Sequence, residues 1–503
     1  MKRNAGLLFP ISSLWGKYGI GTLGKAAYEL VDFLKGSEFS IWQILPLSVT
    51  SFGNSPYQSP SNYALNYYFI DFDKLIEKGL LKKEEVESEF WGENSSRVDY
   101  GAIFNNKLKV LRLAFSRFDL TDEAFKKFLE EGQNFNDFAI FMVLKDLHSL
   151  KPWYEWNDKW SKYSLSLEKE VKTTYKNEYL FYMWTQFEFL NEYNSLKEYA
   201  NKNGIQIMGD LPIYVAYDSV EVWKYPYLFD LDENLVPKKV AGVPPDCFSE
   251  DGQLWGNPLY DWSYHKKSGY KWWNERIDNA LKLYDLIRID HFRGFSRYFS
   301  IPYGDKTARN GVWVDGPGFD LFKDKLEYPI VAEDLGMIDD KFLTLMKQTG
   351  YPGMKIVDQT FEDPDPKNIW RPSNYTYNFF SYTGTHDSKT TRQFIDDLSE
   401  KEKKLMLDIL EDECKKFGVP FARKLSNEKL TAIICELNFA SKAKTAIIPI
   451  MDLFALGKEA RINFPSTLSD DNWSWRMDEN LFKKHAKEKS EVLVRWVDNY
   501  QRN

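Results

Sequence analysis

The sequence has few cysteines, no long hydrophobic run and no excess of positive charge. No stretch approaches the ~20 apolar residues that a membrane helix needs, and the apolar segment before Pro10 is too short for a signal-peptide core. The three cysteines, Cys247, Cys414 and Cys435, are an odd number without metal-like spacing, which argues against a disulfide framework and favours a reducing compartment. We therefore expect a cytoplasmic protein without a membrane partner.

The charge balance argues against nucleic acid as a partner. The chain has 66 Lys and Arg against 74 Asp and Glu, a net charge of −8, whereas a nucleic-acid-binding protein needs a basic face to displace phosphate counterions. Aromatic residues, in contrast, are abundant at 17% of the chain. Such rings either fill a large core or form platforms for ring-shaped ligands.

Several short apolar runs, many with amphipathic helical segments between them, predict an α/β fold. Runs that end at a polar or acidic residue are typical of strands that helices bury on both faces. They span residues 41–45, 205–208, 283–289, 329–332, 354–357, 379–382 and 445–450. Strand and helix in alternation, without an internal sequence repeat, predict a single (β/α)8 TIM barrel over residues 1–503.

Uneven spacing of the runs predicts two insertions in the barrel. Residues 72–200 are charged and helix-like in their periodicity, which indicates an inserted, largely helical subdomain. Residues 225–262 are rich in Pro, Gly, Asp and Trp, which is typical of an ordered, long active-site loop.

The glycines of Gly19-Ile20-Gly21-Thr22-Leu23-Gly24 match the spacing of a dinucleotide-binding loop. That motif must follow a buried strand, whereas the preceding residues 14–18 are turn-like. The sequence therefore favours glycines that shape a loop over nucleotide binding.

Acidic residues at the ends of predicted strands are the stronger functional signal. Asp210, Asp290, Glu333 and Asp387 would converge in a (β/α)8 barrel, because its active site is built from the C-terminal ends of the strands. Each taken singly is also compatible with a helix N-cap. Four together, three of them beside Arg or His, favour an active site.

The surroundings of two of these carboxyl groups fit retaining glycoside chemistry, which needs an ionised nucleophile and a protonated acid. Arg288, two residues before Asp290 on a strand, points to the same face and places a cation beside that carboxylate. Glu333 follows the apolar Val331-Ala332, and apolar surroundings raise the pKa of a carboxyl group. We therefore predict Asp290 as the nucleophile and Glu333 as the acid/base.

A metal site is the alternative for Asp290-His291 and His386-Asp387, which together offer oxygen and imidazole ligands. Neither pair has the ligand spacing of a zinc site, and Arg288 and Arg293 would repel a cation. Recognition of sugar hydroxyls is favoured, and we expect neither a metal nor a cofactor.

Over nearly its whole length the chain resembles the 4-α-glucanotransferases, also called amylomaltases or disproportionating enzymes, which are relatives of the α-amylases. Arg288-Ile289-Asp290-His291-Phe292-Arg293-Gly294-Phe295, Ala332-Glu333-Asp334-Leu335-Gly336 and Gly384-Thr385-His386-Asp387 are the specific motifs, in the right order. The other matching segments are Trp42-Gln43-Ile44-Leu45-Pro46-Leu47, Ser55-Pro56-Tyr57, Gly209-Asp210-Leu211-Pro212, Gly242-Val243-Pro244-Pro245-Asp246 and Gly252-Gln253-Leu254-Trp255-Gly256-Asn257-Pro258.

The resemblance implies transfer of a 1,4-α-glucan segment to the 4-hydroxyl of an acceptor glucose or glucan. Asp290 would form a covalent glucosyl intermediate, and Glu333 would act as acid and then as base, with Asp387 as the third catalytic carboxylate. The implied sugar-binding residues are Tyr57, Asp210, Trp255, Arg288, His291 and His386. A loop over residues 242–249 would overhang the cleft, and exclusion of water there would favour a sugar acceptor.

Two other functions remain as alternatives. An α-amylase-type 1,4-α-glucan hydrolase would use the same carboxylates with water as the acceptor, and a silent carbohydrate-binding protein would not need them. The chain also departs from the family pattern at Ser373, Ser388, Met451 and Ser466. These changes leave the catalytic carboxylates in place and bear on acceptor preference and secondary sugar contacts.

Overall fold

Eight parallel strands form the central sheet of the structure, a computed structural model that describes residues 2–245 and 249–503. The spatial order of the strands follows their order in the chain, and the backbone N–H of Ala332 donates to the carbonyl of Pro352 (2.9 Å), which links the two ends of the sheet. The eight strands are β1 (Asn4–Leu8), β2 (Ile41–Gln43), β3 (Gln206–Leu211), β6 (Leu286–Ile289), β9 (Ile330–Ala332), β10 (Gly353–Ile356), β11 (Phe379–Tyr382) and β12 (Thr445–Pro449). This arrangement is a (β/α)8 barrel, as expected.

The strands are almost completely buried, which explains why they are apolar runs without alternation. All seven predicted runs overlap barrel strands. β1 is not among the predicted strands, because its five residues lie directly beside a charged N-terminal segment. Its pairing with β12 from Asn4 to Leu8 and with β2 from Gly6 to Leu8 supplies the missing strand.

Helices surround the barrel and fill the long connection between β2 and β3. The helices are α1 (Lys25–Gly36), α2 (Phe72–Glu77), α3 (Lys83–Glu87), α4 (Tyr100–Phe115), α5 (Glu123–Glu131), α6 (Gln133–Leu147), α7 (Leu165–Thr174), α8 (Lys176–Lys202), α9 (Val220–Lys224), α10 (Trp262–Lys267), α11 (Lys271–Leu283), α12 (Asp340–Thr349), α13 (Thr391–Asp397), α14 (Glu400–Phe417), α15 (Asn427–Ala440), α16 (Ile450–Leu453) and α17 (Glu479–Asn499). Since α2 to α8 all lie between β2 and β3, we propose that residues 72–200 form the helical insertion.

The region 225–262 differs from the single long loop that its composition predicted. It contributes β4 (Lys239–Val243) and β5 (Gln253–Pro258), which join β7 (Arg297–Pro302) and β8 (Val312–Asp315) in an antiparallel sheet of order β5-β4-β7-β8. The turn residues that suggested a loop lie between and around these short strands. Residues 246–248, within the segment expected to overhang the cleft, lie outside the described residues.

No helix in the described ranges is long and apolar enough to span a membrane.

The glycine-rich segment before α1 has a structural explanation. A Cβ at Gly24 would lie 2.0 Å from Oδ2 of Asp71, and Thr22 donates to the same oxygen at 2.5 Å. The carboxylate of Asp71 therefore packs against Gly24, in agreement with a loop-shaping role.

Candidate active site

The carboxylates singled out in the sequence lie at one rim of the barrel. Asp290 directly follows β6, Glu333 follows the neighbouring β9, and Asp387 lies in the segment after β11, while Asp210 lies near the end of β3. Because the strands are parallel, these ends meet at the same face. A cleft of about 310 Å³ opens there and is lined by Tyr57, Trp255, Asp290, His386 and Asp387, among others.

Asp290 is paired with a buried cation. Nη2 of Arg288 lies 2.8 Å from Oδ1 of Asp290, and Nη1 of the same guanidinium lies 2.6 Å from Oδ2 of Asp210. The exposed fraction of the Arg288 side chain is 5%, against 28% for Asp290. The contact places a cation directly beside the carboxylate of the predicted nucleophile, which lines the cleft.

Glu333 lies in an environment that raises its pKa toward neutrality. Burial, reinforced by the negative charge of Asp290 and opposed by Arg288, raises the pKa of Glu333 to about 7. Its Oε2 accepts a hydrogen bond from the backbone N–H of His291 (2.8 Å) and its Oε1 from that of Leu335 (2.7 Å). These two bonds fix the carboxyl group beside the residue that follows the predicted nucleophile.

His291 has a left-handed backbone, with φ of 48°, uncommon for a residue with a side chain. This conformation accompanies the bond from its N–H to Glu333. Its ring packs edge-on against Trp255, with 4.9 Å between centroids, and burial lowers the pKa of His291 to about 4. The imidazole is therefore neutral at pH 7.

Asp387 and His386 form a second charged pair at the rim. Nε2 of His386 lies 3.4 Å from Oδ2 of Asp387, and Nδ2 of Asn463 donates to Oδ1 at 2.7 Å. Although burial opposes both changes, the pair's mutual attraction raises the pKa of His386 and, with the bond from Asn463, lowers that of Asp387. An ionised Asp387 side chain, 49% exposed in the open cleft, can accept hydrogen bonds from ligand hydroxyls.

Tyr57 connects these charged groups. Its hydroxyl donates to Oδ2 of Asp210 at 2.6 Å and lies 3.0 Å from Nε2 of His386. Its ring stacks on that of His386, with 5.3 Å between centroids, and lies 5.8 Å from Trp473. Hydrogen bonds thus run from Arg288 through Asp210 and Tyr57 to His386.

Seven of the predicted site residues form two layers. Tyr57, Trp255, Asp290, His386 and Asp387 line the cleft. Asp210 and Arg288 are buried beneath it, with exposed fractions of 1% and 4%, and their polar contacts are to each other, Tyr57 and Asp290. The two buried groups therefore hold the residues that line the cleft.

Several cleft residues were not among the predicted site residues. They are Tyr214, Gln253, Asn463, Phe464 and Trp473. Asn463 and Phe464 lie just before Ser466, which departs from the family pattern and also lines the cleft. Trp473 lies in an irregular segment, where neither periodicity nor a strand end marks a residue as functional.

Two other departures from the family pattern are local in their contacts. Ser373 donates from its backbone N–H and its hydroxyl to the carboxylate of Glu413 (2.9 and 2.8 Å). Ser388 accepts a bond from the N–H of Thr385 at 3.0 Å, within the segment that carries Asp387.

The described part of the chain contains no group of three or more His, Cys, Asp or Glu arranged to hold a metal ion.

Comparison with known proteins gives one consistent result. A family model described as 4-alpha-glucanotransferase matches residues 9–481. A 4-alpha-glucanotransferase of Clostridium butyricum is 45% identical over 493 residues, covering 96% of this chain and 98% of the relative. That of Aquifex aeolicus is 40% identical over 491 residues, covering 96% and 97%.

A solved structure extends the similarity to three dimensions. An amylomaltase from Streptococcus agalactiae in complex with acarbose has a TM-score of 0.93 and 40% identity to this chain, with complete coverage of both. An amylomaltase from Corynebacterium glutamicum has a TM-score of 0.79 at 17% identity and covers 100% of this chain and 75% of its own, which is a likeness in fold.

Proposed function

The chain belongs to the 4-alpha-glucanotransferase family, and from that premise we propose that it transfers a segment of a 1,4-α-glucan to the 4-hydroxyl of glucose or of another glucan. The observation that supports this most directly is the pairing of Asp290 with Arg288 at 2.8 Å, next to a Glu333 whose pKa is raised to about 7. A carboxylate beside a cation, next to a carboxyl group whose pKa is raised toward neutrality, is the arrangement that retaining chemistry requires.

The reaction proceeds through two displacements at the anomeric carbon. Asp290 attacks that carbon while Glu333 gives its proton to the departing glycosidic oxygen, so the glycosidic bond breaks as the bond to Asp290 forms. Glu333, now ionised, then takes the proton of the acceptor 4-hydroxyl, whose oxygen attacks the same carbon and releases Asp290. Each displacement inverts the centre, and the α-configuration is retained.

The remaining predicted residues bind the sugar or hold those that do. Asp387 and His386 bind sugar hydroxyls with hydrogen bonds that strengthen in the transition state. Tyr57 and Trp255 provide aromatic surfaces in the cleft, and His291 lies beside Trp255 with its N–H on Glu333. Asp210 and Arg288 position Tyr57 and Asp290 from below.

Maltotriose provides the test of transfer. A transferase converts it to glucose together with oligomers longer than the substrate, whereas the hydrolase alternative yields only shorter sugars. Chromatography of the products over time distinguishes the two, and an Asp290→Asn variant controls for contaminating activity. A rise in reducing ends at the full rate of substrate consumption would contradict the proposal, since transfer conserves the number of reducing ends.

A further inference from the structure

The segment that carries His386 and Asp387 connects β11 to α13. Its first residue, Thr383, follows the last residue of β11, and it ends where Thr391 begins α13. Inside the segment, Ser388 accepts a bond from Thr385 at 3.0 Å, and Asn463 reaches Asp387 at 2.7 Å from outside. In addition to these contacts, the segment is held at its two ends.

Asp452 binds both ends of this segment. Its Oδ2 accepts a hydrogen bond from the hydroxyl of Thr383 at 2.5 Å, and its Oδ1 accepts one from the backbone N–H of Thr391 at 2.7 Å. Asp452 lies in α16, directly after β12, the barrel strand that pairs with β11. One carboxylate, from the helix that follows the neighbouring strand, thus bonds to both ends of the segment.

The carboxylate is buried with a defined set of partners. Asp452 is 1% exposed, and Thr383 and Thr391 are both fully buried. Burial raises the pKa of Asp452 to about 6, while the bonds from the two threonines oppose this rise. Because an unpaired buried carboxylate is strongly disfavoured, these bonds hold the three residues in one arrangement.

We propose that Asp452 is a positioning residue for glucan transfer, acting through its bonds to Thr383 and Thr391 to hold Asp387 at the sugar-binding position. This inference rests on the proposed sugar-binding role of Asp387. Displacement of a binding group by about 1 Å can lower activity by about 10²-fold. A bond at the base of the segment therefore acts on the sugar without contacting it.

Thr383→Val tests the inference with little change in volume. The variant keeps the shape of threonine and removes the hydroxyl that donates to Asp452. We expect the variant to weaken acarbose binding by about tenfold, which is the effect of losing one well-aligned hydrogen bond between the ligand and the ionised Asp387. We expect a similar loss in kcat/KM on maltotriose. Thr383→Ser restores the hydroxyl and is expected to restore affinity to within about twofold.

Thr360→Val is the matched control. Thr360 is 1% exposed and its hydroxyl donates to the carbonyl of Trp370 at 2.6 Å, so the substitution removes a comparable buried bond outside the segment. We expect its thermal unfolding temperature to fall as that of Thr383→Val does, with acarbose affinity unchanged. Equal loss of affinity in both variants would overturn the inference and indicate a general loss of stability.

A double-mutant cycle with Asp387→Asn separates positioning from stability. If Thr383 acts through Asp387, adding Thr383→Val to Asp387→Asn changes acarbose affinity by less than about twofold. A full, additive tenfold loss would overturn the inference while leaving the proposed function intact. Wild-type affinity in Asp387→Asn alone would instead contradict the sugar-binding role of Asp387, and the inference that rests on it.

Discussion

The raised pKa of Glu333 predicts how the first half of the reaction depends on pH. Glu333 must hold its proton to assist departure of the glycosidic oxygen, and burial raises its pKa to about 7. Since only the protonated fraction of the free enzyme is competent, kcat/KM for maltotriose is expected to fall to about 10% of its plateau at pH 8 and about 1% at pH 9. A carboxyl group at its ordinary pKa near 4.3 would give far lower activity at neutrality.

The assay is the initial rate of glucose release from maltotriose across the pH range at low substrate concentration. A donor with a good leaving group, such as α-glucosyl fluoride, provides the control, because departure of fluoride needs little help from an acid. The rate of enzyme glycosylation by this donor, measured in the pre-steady state, is expected to lack the decline above pH 7.

Substitution links the decline to one residue. Glu333→Gln should lose most of its activity on maltotriose, retain glycosylation by the fluoride donor and show no decline near pH 7. Mass spectrometry should then find the sugar attached to Asp290. A maltotriose profile that stays level beyond pH 9, or an adduct on another residue, would refute the assignment of the acid and of the nucleophile, respectively.

Three further predictions concern other contacts. Tyr57→Phe removes the bond to Asp210 but keeps the ring, so we expect kcat/KM to fall by about 10- to 100-fold with little change in stability. Steady-state kinetics with maltotriose measures the fall in kcat/KM, and an unchanged value would contradict a role for the hydroxyl. Arg502→Ala leaves the carbonyls of Phe439 and Ala443 without their guanidinium donor, while that of Ser441 keeps its bond from Arg3. Urea denaturation should therefore show the free energy of unfolding lowered by about 3 kcal/mol, whereas a loss below about 1 kcal/mol would mean that water replaces the guanidinium. Burial raises the pKa of Glu192 to about 8, above its value in the unfolded chain. The contribution of Glu192 to stability is therefore complete below the unfolded pKa and declines by about 1.4 kcal/mol per pH unit as the pH rises toward 8. Urea denaturation of wild type and Glu192→Gln should show this pH-dependent difference, and a constant difference from pH 5 to 8 would contradict it.

The barrel could be predicted largely because its strands are buried on both faces. Burial makes each strand a continuous apolar run, and the polar residue after it marks the rim where Asp290, Glu333 and Asp387 meet. β1 carries the same kind of run, but its five residues lie directly beside a charged N-terminal segment, which hides the run. The antiparallel sheet was missed since its strands lie among Pro and Gly, which favoured a loop.

The site was predicted less completely than the fold for a related reason. Local sequence indicated that Arg288 would lie beside Asp290, because two positions on a strand share a face. It could not show that Arg288 also binds Asp210, or that Asn463 reaches Asp387 across 76 positions of the chain. Contacts between distant segments depend on how loops pack above the barrel, and the periodicity of the sequence does not indicate this packing.

The pairing of β1 with β12 has a consequence for synthesis of the protein. β1 ends at Leu8 and its partner begins at Thr445, so at ~5–20 residues per second the ribosome completes the second strand about 20–90 s after the first. Throughout that interval β1 has no partner on one side, and the open strand edge is a site where other chains can pair. Molecular chaperones that bind nascent chains have their longest opportunity here, and slower translation would extend the period in which misassembly competes with closure of the barrel.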